Sequence, residues 1–92
     1  MNRIKFEVHG KVQGVFFRKY TKKEADKLML NGWVMNTSQK TVVGEAEGNS
    51  DKIKLFQIFL EKQGSPKSRI DKLESEIIEI SELSFKNYNI RK

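Results

Sequence analysis

Cysteine is missing altogether from the 92 residues. Its absence excludes a disulfide framework, a thiolate metal cage and catalysis by a cysteine nucleophile. Histidine occurs once, at position 9, and proline once, at position 66. The His, Asp and Glu residues do not fall at the spacings of a metal-ligand set, so metal chemistry is not expected. No apolar run approaches the length that spans a bilayer, and the opening Met-Asn-Arg-Ile-Lys has no apolar core of a secretory signal. A cytoplasmic protein without a membrane partner is expected. With 37% apolar residues and nine aromatics, the chain is long enough for one domain with one core and too short for two.

Acidic residues are the scarcer charge, twelve against eighteen Lys and Arg, for a formal net charge of +6. The imbalance is local. Residues 1 to 32 carry eight basic and three acidic side chains, a net of +5, and the remaining sixty supply only +1. A basic N-terminal third fits an anionic ligand, whether nucleic acid or a small phosphate compound. Spread Lys and Glu are also ordinary surface chemistry.

The hydrophobic period changes along the chain. Ile4, Phe6 and Val8 alternate with Lys5 and Glu7, as in a half-buried strand. A helical period follows from Phe17, with Thr21 and Glu24 spaced as a capping box although the first turn can begin at Phe17, and with Asn31-Gly32 as its end. Trp33 to Met35 and Thr41 to Gly48 read as two strands of a hairpin. Ser50 is placed to cap a second helix through Ile53, Phe56, Phe59 and Leu60, which Gly64-Ser65-Pro66 ends. Arg69 to Ile90 reads as one strand and a short terminal one. Strand, helix, strand, strand, helix, strand is the ferredoxin-like split βαβ order, an α+β fold with both helices on one face of an antiparallel sheet. The first and third strands are then central and the second lies at the edge.

Between the first strand and first helix lies Gly10-Lys11-Val12-Gln13-Gly14-Val15-Phe16-Phe17-Arg18. Two glycines there admit positive φ and close backbone approach. Successive N–H groups turned inward make an anion nest, and the unpaired amides of the helix N-terminus add to it. Arg18 can grip two phosphoryl oxygens with its fork. The run lacks the Gly-Lys-Ser/Thr ending of the Walker loop and the dinucleotide fingerprint. The other reading is a plain strand-to-helix turn with Arg18 as a surface charge. Val12, Val15 and Phe16 are expected to pad the loop, and Phe17 to enter the core.

The second constellation is Gly32-Trp33-Val34-Met35-Asn36-Thr37-Ser38. Asn36 offers a donor and an acceptor, so it can hold a water and touch a substrate oxygen at once, or serve only as a turn residue. Trp33 is expected in the core. His9 lies on the strand outside the loop, in a structural or solvent-facing place. Glu74, Glu76, Glu79 and Glu82 are expected on a solvated face, and Glu45 and Glu47 on an outward one.

Together these residues resemble the acylphosphatase family. The resemblance is carried by Gly-Lys-Val-Gln-Gly-Val-Phe-Phe-Arg at 10 to 18, Gly-Trp-Val-Met-Asn-Thr at 32 to 37, and Thr-Val-Val-Gly-Glu-Ala-Glu-Gly at 41 to 48. Gly-Ser-Pro-Lys-Ser-Arg-Ile-Asp at 64 to 71 and Tyr-Asn-Ile at 88 to 90 extend it over essentially the whole chain, as one domain of residues 1 to 92. The pattern is similar to the small, free-standing enzymes of eukaryotic type.

The resemblance implies hydrolysis of a carboxyl-phosphate anhydride to a carboxylate and inorganic phosphate, by a monomer without metal or organic cofactor. It puts the phosphate-binding arginine on Arg18 and the water-positioning asparagine on Asn36, and the amide cradle on Gln13, Gly14, Val15, Phe16 and Phe17. One position departs from the family pattern: Lys40 stands where a glycine is common, before Thr41. Lysine is poorly suited to positive φ, so Ser38-Gln39-Lys40 is expected to turn differently. The competing reading is an RNA-binding sheet, which needs exposed aromatics on the first and third strands. Phe6 is a candidate on the first, and the third has none, so no nucleic-acid partner is expected.

Overall fold

The computed structural model describes all of residues 1–92. In chain order the elements are β1 (Asn2–Lys11), α1 (Phe17–Lys27), β2 (Asn31–Asn36), β3 (Val42–Gly48), α2 (Ser50–Ile58), β4 (Arg69–Glu79) and β5 (Tyr88–Arg91). A π-helical turn at Phe59–Gln63 continues α2. The strands form one sheet in the order β4-β1-β3-β2-β5. All neighbours are antiparallel except β2 and β5, which run parallel. This is the expected α+β, βαββαβ arrangement with an added C-terminal strand.

The alternation in β1 does what its period requires. Ile4, Phe6 and Val8 face the core and stand opposite Ala46, Gly44 and Val42 of β3. Gly44 is needed for that pairing, because a Cβ there would lie 2.6 Å from Cζ of Phe6. The Phe6 ring meets Phe56 of α2 edge-on at 5.9 Å, and Phe56 meets Tyr88 of β5 at 6.0 Å. Burying each such ring contributes on the order of 2 to 3 kcal/mol. Phe6 therefore belongs to the interior, which removes the aromatic on which an RNA-binding reading relied.

β2 is not an edge strand. β5 pairs along it, Gly32 N–H donates to the Asn87 carbonyl at 2.9 Å, and the buried Tyr88 hydroxyl donates to the Trp33 carbonyl at 3.0 Å. Burial pushes the Tyr88 phenol pKa up, so the ring stays a neutral donor.

Local signals located the helices, but not all of their ends. α1 begins at Phe17, and Thr21 caps nothing: its hydroxyl donates to the Phe17 carbonyl one turn back, at 2.8 Å. The helix closes earlier than Asn31-Gly32, which instead open β2. Met29 takes φ +58 while Leu30 N–H reaches the Ala25 carbonyl and Met29 N–H the Asp26 carbonyl. That is a Schellman ending with a methionine where glycine is usual. At α2 the cap is Asn49 rather than Ser50, because its side-chain oxygen accepts from Asp51 N–H at 2.9 Å.

The outer sheet face carries two further differences. Glu47 points outward as expected, yet it is 0% exposed. The segment before β5 folds over it, and its carboxylate accepts from Arg3 Nε and Nη2 (3.1 and 2.8 Å) and from the amides of Ser84 and Phe85. Trp33 also lies on this face, outside the core, with its ring under the Arg91 guanidinium at 4.4 Å and its Nε1–H donating to Glu45. β2 alternates, and Val34 takes the core position. No helix is long and apolar enough to cross a membrane.

Candidate active site

β1 delivers its chain directly into the loop of residues 12 to 16, and α1 leaves it. Gly10 and Lys11 still belong to β1, so the loop is shorter than the motif. Gly14 takes φ +73 and Phe16 φ +60, with Val15 between them. Residues of left-handed φ separated by an ordinary one curl the backbone so that successive N–H groups face one concavity. None of the amides from Gln13 to Lys19 donates to a backbone carbonyl, and α1 has no side-chain cap. A helix start without a cap leaves its donors and its positive dipole end for an outside acceptor.

Phe16 supports this loop differently from the expectation. Val12 and Val15 are buried and pad it, whereas Phe16 is 70% exposed. A bulky residue in the left-handed region costs about 1 to 2 kcal/mol, which the anchored residues on either side impose. Phe17 is in the core, as expected.

Arg18 sits in the first turn of α1, half-buried, and its Nη1 donates to the Arg91 carbonyl at 3.3 Å. β5 thereby steadies the guanidinium, while Nε and Nη2 remain without a protein acceptor. Asn36 ends β2, and its side-chain oxygen is buried without any hydrogen-bond partner. Both residues line a single cleft of about 410 Å³, together with Gln13, Gly14, Phe16 and Phe17. Val12, Lys19 and Ile90 complete the wall. Periodicity had no means of finding Ile90, because it arrives through the parallel pairing of β5 with β2.

Residues 13 and 36 are far apart in sequence, and the Gln13 side chain holds their neighbourhoods together. Its Nε2 donates to the carbonyls of Thr37 at 3.0 Å and Thr41 at 2.9 Å, tying the loop to the hairpin that follows Asn36. Inside that hairpin Lys40 does take positive φ, +66, contrary to expectation. Its N–H closes on the Thr37 carbonyl at 3.3 Å, and Thr37 N–H donates to the Thr41 carbonyl at 2.9 Å. A turn followed by a left-handed residue is the usual three-residue hairpin with a bulge. The Thr37 and Thr41 hydroxyls, 2.7 Å apart, and the Thr41 donation to Glu7 at 2.6 Å outweigh the conformational preference of one lysine.

The spacing of acidic residues and His9 concealed one cluster. Glu7 and Glu74 are direct partners across β1 and β4. His9 Nε2 lies 2.7 Å from Glu74 and 3.9 Å from Glu7, so three potential ligand groups meet within 4.8 Å. They do so on the outer sheet face, and none of them lines the cleft of Arg18 and Asn36. Glu76, Glu79 and Glu82 are exposed, as expected.

A cleft that combines unpaired amides, a steadied guanidinium and a buried amide acceptor can hold a tetrahedral dianion and orient a small hydroxylic molecule beside it. The chicken acylphosphatase-2 is 48% identical over 92 residues, 99% of this chain and 89% of the relative. The human acylphosphatase-2 is 46% identical over 99% of this chain and 93% of its own. The crystal structure of acylphosphatase from Bacillus subtilis superposes with a TM-score of 0.92 at 33% identity, covering both chains completely. With the Acylphosphatase family profile also matching residues 4–90, the chain belongs to the acylphosphatase family, the enzymes that hydrolyse acyl phosphates.

Proposed function

We propose that residues 1–92 act as one monomeric, metal-independent domain that cleaves the carboxyl-phosphate anhydride bond by direct in-line attack of water. The amides of Gln13, Gly14, Val15, Phe16, Phe17 and Arg18, with the Arg18 guanidinium, hold the phosphoryl group. Asn36 places the water. The observation that carries this reading is the meeting, in one cleft, of an unbroken run of unpaired amides with the partnerless buried oxygen of Asn36.

Each group has a distinct task. The three non-bridging oxygens of an acyl phosphate gain or keep negative charge as the bond to the carboxylate lengthens. Donors fixed by the loop and by α1 stabilise that charge without reorganising during the reaction. Arg18 adds a full positive charge through two nitrogens of its fork. The Asn36 oxygen accepts a hydrogen bond from the incoming water, which turns the water lone pair toward phosphorus opposite the leaving oxygen. That bond also satisfies a buried acceptor whose isolation costs about 1 to 3 kcal/mol. The carboxylate departs without a proton because it is a weak base. The proton of the water passes to a phosphoryl oxygen, and no side-chain base is required.

Titration of ¹⁵N-labelled protein with inorganic phosphate tests the cradle. The amide signals of Gly14 to Arg18 shift first and saturate together. Shifts centred on another surface overturn the assignment.

A further inference from the structure

We propose that Lys11, Lys40 and Arg69 form a second anion subsite beside the phosphoryl cradle, so that the enzyme favours acyl phosphates whose acyl chain carries another anionic group. The inference rests on the cradle reading of the loop of residues 12 to 16. A second cleft of about 610 Å³ shares Val12, Gln13 and Gly14 with the first, and its other walls carry these three cations. The same short loop thus borders both the Arg18 and Asn36 cleft and the basic cleft. The loop is open at Gly14: beyond its chain neighbours, no heavy atom lies within 4 Å of where a Cβ would stand.

The cations come together through the fold. Lys11 and Arg69 are direct partners across β1 and β4, which places both side chains on one face. Like charges in that relation repel, and an anion between them relieves the repulsion. Asp71 engages Arg69 through two hydrogen bonds, at 2.9 and 3.2 Å, and keeps its own carboxyl below the usual carboxylate range by accepting them. One carboxylate against three cations leaves two positive charges facing the cleft. Lys40 joins them from the hairpin, held in a left-handed conformation that disfavours any residue with a side chain. A substrate lying across Gly14 has its phosphoryl group in the first cleft and a distal carboxylate or phosphate within the field of the second.

The test compares mono-succinyl phosphate with butyryl phosphate, which has the same chain length and a methyl in place of the distal carboxylate. In the wild type, kcat/KM for succinyl phosphate exceeds that for butyryl phosphate at low ionic strength, and added salt lowers the ratio. Lys40→Asn, which removes the charge and tolerates left-handed φ, lowers the ratio about fivefold, the scale of one exposed ion pair. Lys11→Gln acts likewise, Lys40→Arg retains the preference, and Lys54→Gln on the exposed face of α2 leaves the ratio unmoved. A ratio equally high in Lys40→Asn and Lys11→Gln overturns the subsite while leaving the cradle standing. Failure of the wild type to hydrolyse butyryl phosphate overturns the cradle reading, and the subsite with it.

Discussion

Replacing Asn36 by alanine separates its two properties, a cost to the fold and a use in the reaction. In the folded protein its side-chain oxygen is buried without a partner, a state that costs about 1 to 3 kcal/mol. Truncation removes that acceptor. It also removes three heavy atoms that line an open cleft rather than the closed core, so the cavity term is small and we set it at about 1 kcal/mol. The net expectation is a stability equal to the wild type or higher by up to about 2 kcal/mol, each kcal/mol being equivalent to about 4 to 8 °C in Tm for a domain of this size. Turnover falls on the order of a hundredfold, because a misoriented water loses the positional part of catalysis while the cradle contacts persist. Urea denaturation without phosphate, a phosphate binding isotherm and initial rates on benzoyl phosphate measure the three quantities. Loss of phosphate affinity in proportion to rate would refute the water-positioning role and put Asn36 in the cradle. Loss of stability would refute the account of the unpaired oxygen.

Arg18→Gln is expected to lose phosphate affinity and turnover together, by about 3 kcal/mol in transition-state stabilisation; normal binding and rates would show the site misassigned. Gly14→Val meets open space, so its cost is that of positive φ alone, about 1 to 2 kcal/mol in urea denaturation, and phosphate titration should show a larger loss. Glu47→Ala leaves Arg3 and two amides without their shared buried acceptor and is expected to destabilise by about 3 to 5 kcal/mol, with urea midpoints as the readout and wild-type stability as the contrary result. After exhaustive EDTA treatment the protein should hydrolyse acetyl phosphate undiminished and leave phosphate monoesters almost untouched, since no carboxylic acid or histidine lines the cleft to protonate an alkoxide leaving group; activity lost on chelation and restored by Mg²⁺ would contradict the mechanism.

Much of the molecule was legible in one dimension because it depends on near neighbours. The two-residue period of Ile4, Phe6 and Val8 settles which face of β1 is apolar whatever it pairs with. Gly14 announces its positive φ through the lack of a Cβ, and the motif around it marks where strand passes to helix. Arg18 and Asn36 were visible as candidates from residue type and from the family resemblance, and the fold brings them to one cleft. What stayed hidden depends on groups distant in sequence. Glu47 reads as a surface glutamate until the segment at Ser84 and Phe85 folds over it, and Glu7, His9 and Glu74 meet only through the β1 and β4 register. Lys40 takes a φ value that its own preference opposes, because several tertiary hydrogen bonds on Thr37 and Thr41 together outweigh about 1 to 2 kcal/mol of local strain. Gln13 likewise looks like one more loop amide, and only the closed hairpin reveals its side chain as the tie that holds Asn36 beside the cradle.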